Sequence, residues 1–474
     1  MLSYLLLILF LGLFLVLICP SKNTLALSQL SLSFTSFAFI YLLEILKNFD
    51  YSSSKFQYLV GDNLILGLDG ISLVFVFLTT FLFPLVILGS WGKIHTKIFV
   101  VCFISIEILL ILVFSVLDLV WFYIFFESVL IPIFLIIGLY GSRSRKIRAS
   151  YFFFVYTLIG SLFLLTSIFY IYALLGNTAY ENLVTYDFTF ETQKWLWLGF
   201  FLSFGIKVPL IPFHIWLPEA HVEAPTPGSA ILAGVLLKLG TYGFLRFSLP
   251  LFFEASVYYT PFIFTLALLG VFYTSLTAIR QTDLKRIIAY TSVAHINLVV
   301  LGIFSYSYLG LSGSILQSLS HGFVSTSLFL LIGFLYDRYH SRLFLHYGGL
   351  VHIMPLYSIF FLLFTIANIG LPGTSSFVGE FLVLIGIFES NANACFLGAS
   401  TLVLGGIYSL WLLNRILYGN LKIQYILSFS DLNKREVFVI SPLAIATLGV
   451  GVYPDFFLGN NSIIYKNLGL FLIG

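Results

Sequence analysis

The chain has 474 residues, 60% of them hydrophobic and only 9% charged, with a mean hydropathy of +1.05. Soluble domains are about a quarter charged, so this composition excludes a water-soluble globule, and a net charge of +3 gives no ground for nucleic acid as a partner. Cys19, Cys102 and Cys395 lie far apart with no CxxC or Cys/His cluster, so no iron–sulfur, haem-attachment or zinc site is expected.

A run of about 18 or more apolar residues reads as a membrane helix, and such runs follow one another along the chain. The first twenty residues have no basic start and no small-residue cleavage site, and read as the first span. Spans are expected at 3–19 and 25–45, then a polar loop over 46–69 with Gly61, Asp62 and Asn63, then spans at 71–91, 98–116, 118–140, 149–174 and 195–222. They continue at 226–247, 258–279, 285–304, 310–336, 354–386, 395–418 and 437–457. Residues 419–436 are mixed in polarity and read as a surface segment with amphipathic helical character. The expected fold is all-α: a polytopic membrane protein of about fourteen transmembrane helices.

Two of these spans are interrupted. "FLSFGIKVPLIPFHIWLPEAH" (201–221) carries Lys207 and then Pro209, Pro212 and Pro218; "IANIGLPGTSSFVGEFLVL" (366–384) breaks at Gly370, Pro372 and Gly373 ahead of Glu380. The breaks stand five spans apart. Two inverted five-helix repeats, each with a broken helix, are therefore expected, an arrangement that marks ion or substrate sites in transporters. The corresponding organisation is N-terminal helices over 1–97, a first repeat over 98–247, a second over 258–418, and a surface segment with the last helix over 419–474. With residues at the span ends counted to the adjoining loops, loops after odd-numbered spans hold sixteen of the 23 Lys and Arg, the opposite loops five, and only Lys207 and Lys238 remain deep within spans. That bias places the odd loops on the cytoplasmic or matrix side, where they are expected to meet anionic lipid, cardiolipin included.

A charge within a span is expensive and marks function by default. The set is Glu44, Glu107, Asp118, Glu127, Lys207, Lys238, His295, His321 and Glu380, of which Glu44, Asp118 and His295 fall nearer the expected span ends. Glu127, ten residues into its span, needs a cation, and Lys207 is the best candidate. A lysine can release its proton when its counter-charge moves away, which an arginine does not do. The prolines after Lys207 free backbone carbonyls, which at membrane depth requires burial in protein or internal water. Ala230, Ala233 and Gly234 near Lys238 permit close helix approach. His321, among Ser318, Ser320 and Ser325, is suited to relaying protons. His214, His221, Glu219 and Glu223 near the 222–226 turn read as structural or as lining an entrance. Glu127, Lys207, Lys238, His321 and Glu380 together are expected to form a proton path. No GxGxxG or Walker loop appears, so no nucleotide or redox cofactor is expected in this chain.

The segments "FFES" (125–128), "PFHIWLPEAHVEAPTPGSAILAGVLLKLGTYGFLRF" (212–247), "QTDLKRIIAYTSVAHIN" (281–297), "LSHGFVSTSLFLLIG" (319–333) and "GLPGTSSFVGEFLVL" (370–384) closely resemble the antiporter-like membrane subunits of proton-pumping NADH:ubiquinone oxidoreductase, respiratory complex I. "YSLWLLNRILYGN" (408–420) and "FSDLNKREVF" (429–438) are similar to mitochondrial forms from plants, algae or protists. The resemblance implies a Glu127–Lys207 pair, a central Lys238 and a terminal Glu380, a carboxylate where other members of the group usually carry lysine. It implies neighbours on both sides in the membrane arm, with flavin, iron–sulfur clusters and quinone held by partner subunits. The mitochondrial inner membrane is the expected location, in keeping with 53 Phe against 2 Met, the bias of an AT-rich organellar gene. The alternatives are a subunit of a cation/proton antiporter or membrane-bound hydrogenase with the same fold, a scaffold that moves nothing, and a bacterial or plastid homologue, against which the composition leans.

Overall fold

The computed structural model describes residues 1–53, 55–61, 64–92, 96–422, 424, 425 and 430–458. The chain enters as α1 (Leu2–Ile18) and α2 (Thr24–Asn48) and continues with α3 (Gly70–Gly89), α4 (Lys97–Ser115), α5 (Leu119–Tyr140) and α6 (Lys146–Leu175). The first interrupted span is α7 (Phe190–Lys207) followed by α8 (Trp216–Glu223). Then come α9 (Thr226–Leu251), α10 (Phe253–Arg280), α11 (Leu284–Ile303) and α12 (Tyr308–Tyr339). The second interrupted span is α13 (Pro355–Ile369) with α14 (Ser375–Ser390), and α15 (Ala392–Leu417) and α16 (Lys434–Val452) complete the bundle.

Among the described residues, eleven helices are long and apolar enough to cross a membrane. The remaining expected spans fall on the short α1, on α7 with α8, and on α13 with α14. One small departure from an all-α architecture lies in the 46–69 loop, where Gln57–Val60 (β1) pairs antiparallel with Leu66–Leu68 (β2). Asp62 and Asn63 of that loop lie outside the described residues. No helix occurs among the described residues of 419–433, so the helical character expected for 419–436 is confined there to the first turn of α16.

The bundle is layered by burial. The most apolar stretch of α12 is wholly buried and that of α9 94% buried, whereas α2 and α6 bury only a third of theirs. The outer helices present Phe163, Phe169 and Tyr172 of α6 and Phe37 and Ile40 of α2 at the perimeter, where lipid is the natural solvent. The central helices carry the polar side chains, including Lys238, His321 and Gln317, because only there can each find a partner. Small residues set the crossings as expected: a Cβ on Gly234 would lie 2.6 Å from Thr326 Oγ1, and Thr326 Oγ1 donates to Ala230 O at 3.3 Å.

Candidate functional site

Lys207 is the last residue of α7. The helix stops because Pro209 lacks an N–H and its ring would collide with the preceding turn. The buried ammonium thus sits at the negative end of the α7 dipole. Its Nζ donates to Phe126 O at 2.9 Å and stands 3.1 Å from the centroid of the Phe126 ring. α5 pinches at Val129, three residues ahead of Pro132, which opens carbonyls near Phe126 to an outside donor. Glu127, expected as the partner, is close enough to interact electrostatically, but no ion pair within 4.0 Å joins the two. Its Oε1 is buried with no hydrogen-bond partner. The pair is therefore open, with the lysine on the carbonyl one residue before the carboxylate. Two carbonyls at the break have protein donors: Gly205 O accepts from Leu210 N–H at 2.9 Å, and Ile206 O from Trp216 Nε1–H at 2.9 Å.

Lys238 lies in α9 between two wide, π-helical turns, Leu232–Leu236 and Phe244–Ser248. Such turns recur at functional sites because they release carbonyls from the regular ladder. Lys238 Nζ reaches back to Ala233 O at 2.7 Å and contacts His321 Nδ1 at 2.9 Å. With Nδ1 as acceptor, the ammonium donates directly into the imidazole. The His321 and His295 rings follow at a centroid distance of 5.9 Å. His295 Nδ1 then lies 2.9 Å from Glu380 Oε1, a close approach off the hydrogen-bond axis. Gln317 Nε2 donates to the same oxygen at 2.9 Å, and Ser320 Oγ donates to Gln317 Oε1 at 3.0 Å.

Of the five expected residues, Lys238, His321 and Glu380 thus stand in one buried line, while Glu127 and Lys207 form a second cluster on α5 and α7. No hydrogen bond or ion pair among the described residues joins the two, although α7 and α9 pack directly, with a Cβ on Gly240 falling 2.5 Å from Val208 Cγ2. Sequence reasoning singled out His295 but left it off the path as lying nearer a span end, named Ser320 only as a neighbour of His321, and missed Gln317. For His295 the signal was present: it sits at the middle of Leu284–Ile303, not near an end.

The other ionisable groups separate by role. Asp118 caps α5, accepting from Val120 N–H and Trp121 N–H, and receives the Thr178 hydroxyl at 2.9 Å. Glu44 is exposed on α2. Glu107 is buried in α4 with both oxygens unpartnered. Glu219 pairs with Arg286 at 2.9 Å near the surface. Arg246, Lys285 and Arg342, which position alone assigns to loops, are all buried. Among the described residues no group of three or more His, Cys, Asp or Glu is placed to hold a metal ion.

Comparison with known proteins bears on the fold and the family. The family described as "NADH:quinone oxidoreductase/Mrp antiporter, TM" matches residues 116–430. The chain is 51% identical over 467 residues to NADH-ubiquinone oxidoreductase chain 4 of Marchantia polymorpha, covering 96% of this chain and 94% of that one. It is 52% identical over 458 residues to the Arabidopsis thaliana chain 4, covering 94% and 92%. Among solved structures, a chain of respiratory complex I from Thermus thermophilus with bound NADH superposes with a TM-score of 0.92 at 28% identity, covering all of both chains. With half its residues shared along nearly its whole length, the chain belongs to the NADH-ubiquinone oxidoreductase chain 4 family, the antiporter-like membrane subunits of respiratory complex I.

Proposed function

We propose that this multi-pass subunit moves protons across the membrane through Glu127, Lys207, Lys238, His321 and Glu380, with His295 and Gln317 completing the line. The observation that carries the reading is the row of closely spaced buried ionisable side chains from Lys238, hydrogen-bonded to His321, past His295 to Glu380. A lysine, two histidines and a carboxylate can each hold or release a proton. The chain can thus be loaded at one end and emptied at the other. The two five-helix units, 98–247 and 258–418, contribute one broken helix each. Glu127 is the control group: its approach to Lys207 holds the ammonium charged, and its withdrawal lets the proton pass toward Lys238.

In this reading the energy comes from quinone reduction in partner subunits that hold flavin and iron–sulfur clusters. Neighbouring membrane-arm subunits flank the chain on both sides, and cardiolipin meets the basic loops. The location is the mitochondrial inner membrane. The antiporter and hydrogenase reading is the weaker one, because relatives at about 50% identity over almost the whole chain are oxidoreductase subunits.

The test replaces Lys207 or Lys238 by Met in the assembled complex and measures assembly, NADH oxidation and proton pumping together. Intact assembly with coupled turnover lowered by about tenfold or more is expected. Normal pumping in both variants would show that these lysines serve packing alone.

A further inference from the structure

Between Lys238 and the Arg- and Lys-rich face lies a second set of buried ionisable groups that the line above does not use. His221 in α8 is wholly buried, and neither ring nitrogen has a protein partner. Its ring lies flat on Phe329 of α12, with centroids 4.7 Å apart and planes at 7°. The stack fixes the ring and leaves both nitrogens at its edge. A purely packed ring here would be met by phenylalanine, without the cost of burying two polar atoms.

Both Lys238 and Lys285 are close enough to act on His221 electrostatically. Lys285, the second residue of α11, is buried and donates to Ala224 O at 2.9 Å and to Ser229 Oγ at 3.3 Å. Ser229 Oγ in turn donates to His221 O at 3.0 Å, so the ammonium and the histidine backbone share one hydroxyl. Lys285 also interacts electrostatically with Arg342, Asp283, Asp337 of α12 and Glu223. Asp337 lines a cavity of about 310 Å3 with Ser90, Thr226 and His340, where α3 and α12 end and α9 begins. Electrostatic interaction thus links Asp337 to Lys285, and both Lys285 and Lys238 to His221.

We propose that Lys285 and His221 form a proton branch joining Lys238 to the basic face of the membrane through this cavity; the inference rests on the proton path proposed above. An N–H bond of the Lys285 ammonium breaks as one forms on His221. The resulting imidazolium gives the proton on its other nitrogen to the neutral amine of Lys238. Lys285 regains a proton from bulk water reaching the cavity, and bridging water spans the gaps between side chains. One proton moves and no electrons do.

The test uses the assembled complex in native membranes with His221→Phe, Lys285→Arg and Lys238→Met side by side. His221→Phe keeps the stack on Phe329 and removes the proton carrier. Lys285→Arg keeps a cation on Ala224 O and Ser229 but does not release a proton. The expected result is assembly of both inlet variants with coupled turnover lowered roughly tenfold. Normal pumping in both beside an impaired Lys238→Met overturns the branch and leaves the central line standing. Normal pumping in Lys238→Met as well removes the central line itself. A normal Lys285→Arg beside an impaired His221→Phe overturns Lys285 as donor. Loss of assembly in both inlet variants also counts against the proposal, since packing and capping roles would produce that outcome.

Discussion

Lys238 shows how a single side chain is tuned by its two acceptors. Ala233 O can only accept, so it fixes the ammonium in place, whereas His321 Nδ1 can also take a proton. Glu380 is treated the same way at the far end, with Gln317 as a fixed donor and His295 as an exchangeable neighbour. Glu380→Gln keeps the size and a carbonyl for Gln317 but cannot cycle a proton. Proton pumping by the assembled complex should fall about tenfold or more while thermal stability stays near that of the parent, measured by dye quenching and by melting of the purified complex. The identities of Lys238, His321 and Glu380 were legible in the sequence because a charge within an apolar run has few bland explanations. Their partners were not. Gln317 and Ser320 are ordinary residues of a polar helix face, and only the crossing of α12 with α14 brings them to the carboxylate.

The elements meet at the broken helices and at α9. Proline and glycine announced both breaks, because each removes a backbone bond or permits a turn that other residues avoid. The wide turns around Lys238 were silent, since the one glycine of "LAGVL" is common in membrane helices and "FLRFS" carries no helix breaker. The open state of Glu127 and Lys207 was equally hidden, for it turns on Lys207 reaching Phe126 O in place of the carboxylate, a choice of acceptor that residue types do not show. The α7–α9 contact has its own test. A Cβ on Gly240 would lie 2.5 Å from Val208 Cγ2 and 2.8 Å from Phe204 O, and the backbone oxygen cannot yield. Gly240→Ala should cost about 1–3 kcal/mol, seen as a lower melting temperature of the complex and a smaller assembled fraction.

At the scale of the whole molecule, each face is tied by buried charge. On one, Arg246 at the end of α9 pairs with Asp69 at 2.5 Å, Asp69 caps α3, and Tyr242 O–H donates to Phe114 O at 3.0 Å. On the other, Arg338 of α12 pairs with Glu436 of α16, and Asp431 accepts from Leu356 N–H and Tyr357 N–H at the start of α13. Removing one member of a buried pair strands the other, so Asp69→Ala should destabilise the subunit by about 3–5 kcal/mol. The double change Asp69→Ala with Arg246→Met should recover much of that loss. Thermal melting of the two variants would separate these outcomes. The count of basic residues in loops placed Arg246, Lys285 and Arg342 in water, yet all three are buried. A long cationic stem can turn inward from a helix end, and sequence position does not say which way it turns.

Gly370 has a φ of +81° at the break before α14, and a Cβ there would lie 2.6 Å from Glu380 Oε2. Carboxylate and hinge are thus in mutual contact with no spacer between them. Adding a proton turns an acceptor of that carboxylate into a donor, and the nearest thing able to answer is the backbone of the bend. Hydrogen bonding and shape are therefore coupled at this point without a lever arm, so a stiffer bend would be felt directly at the carboxylate oxygen.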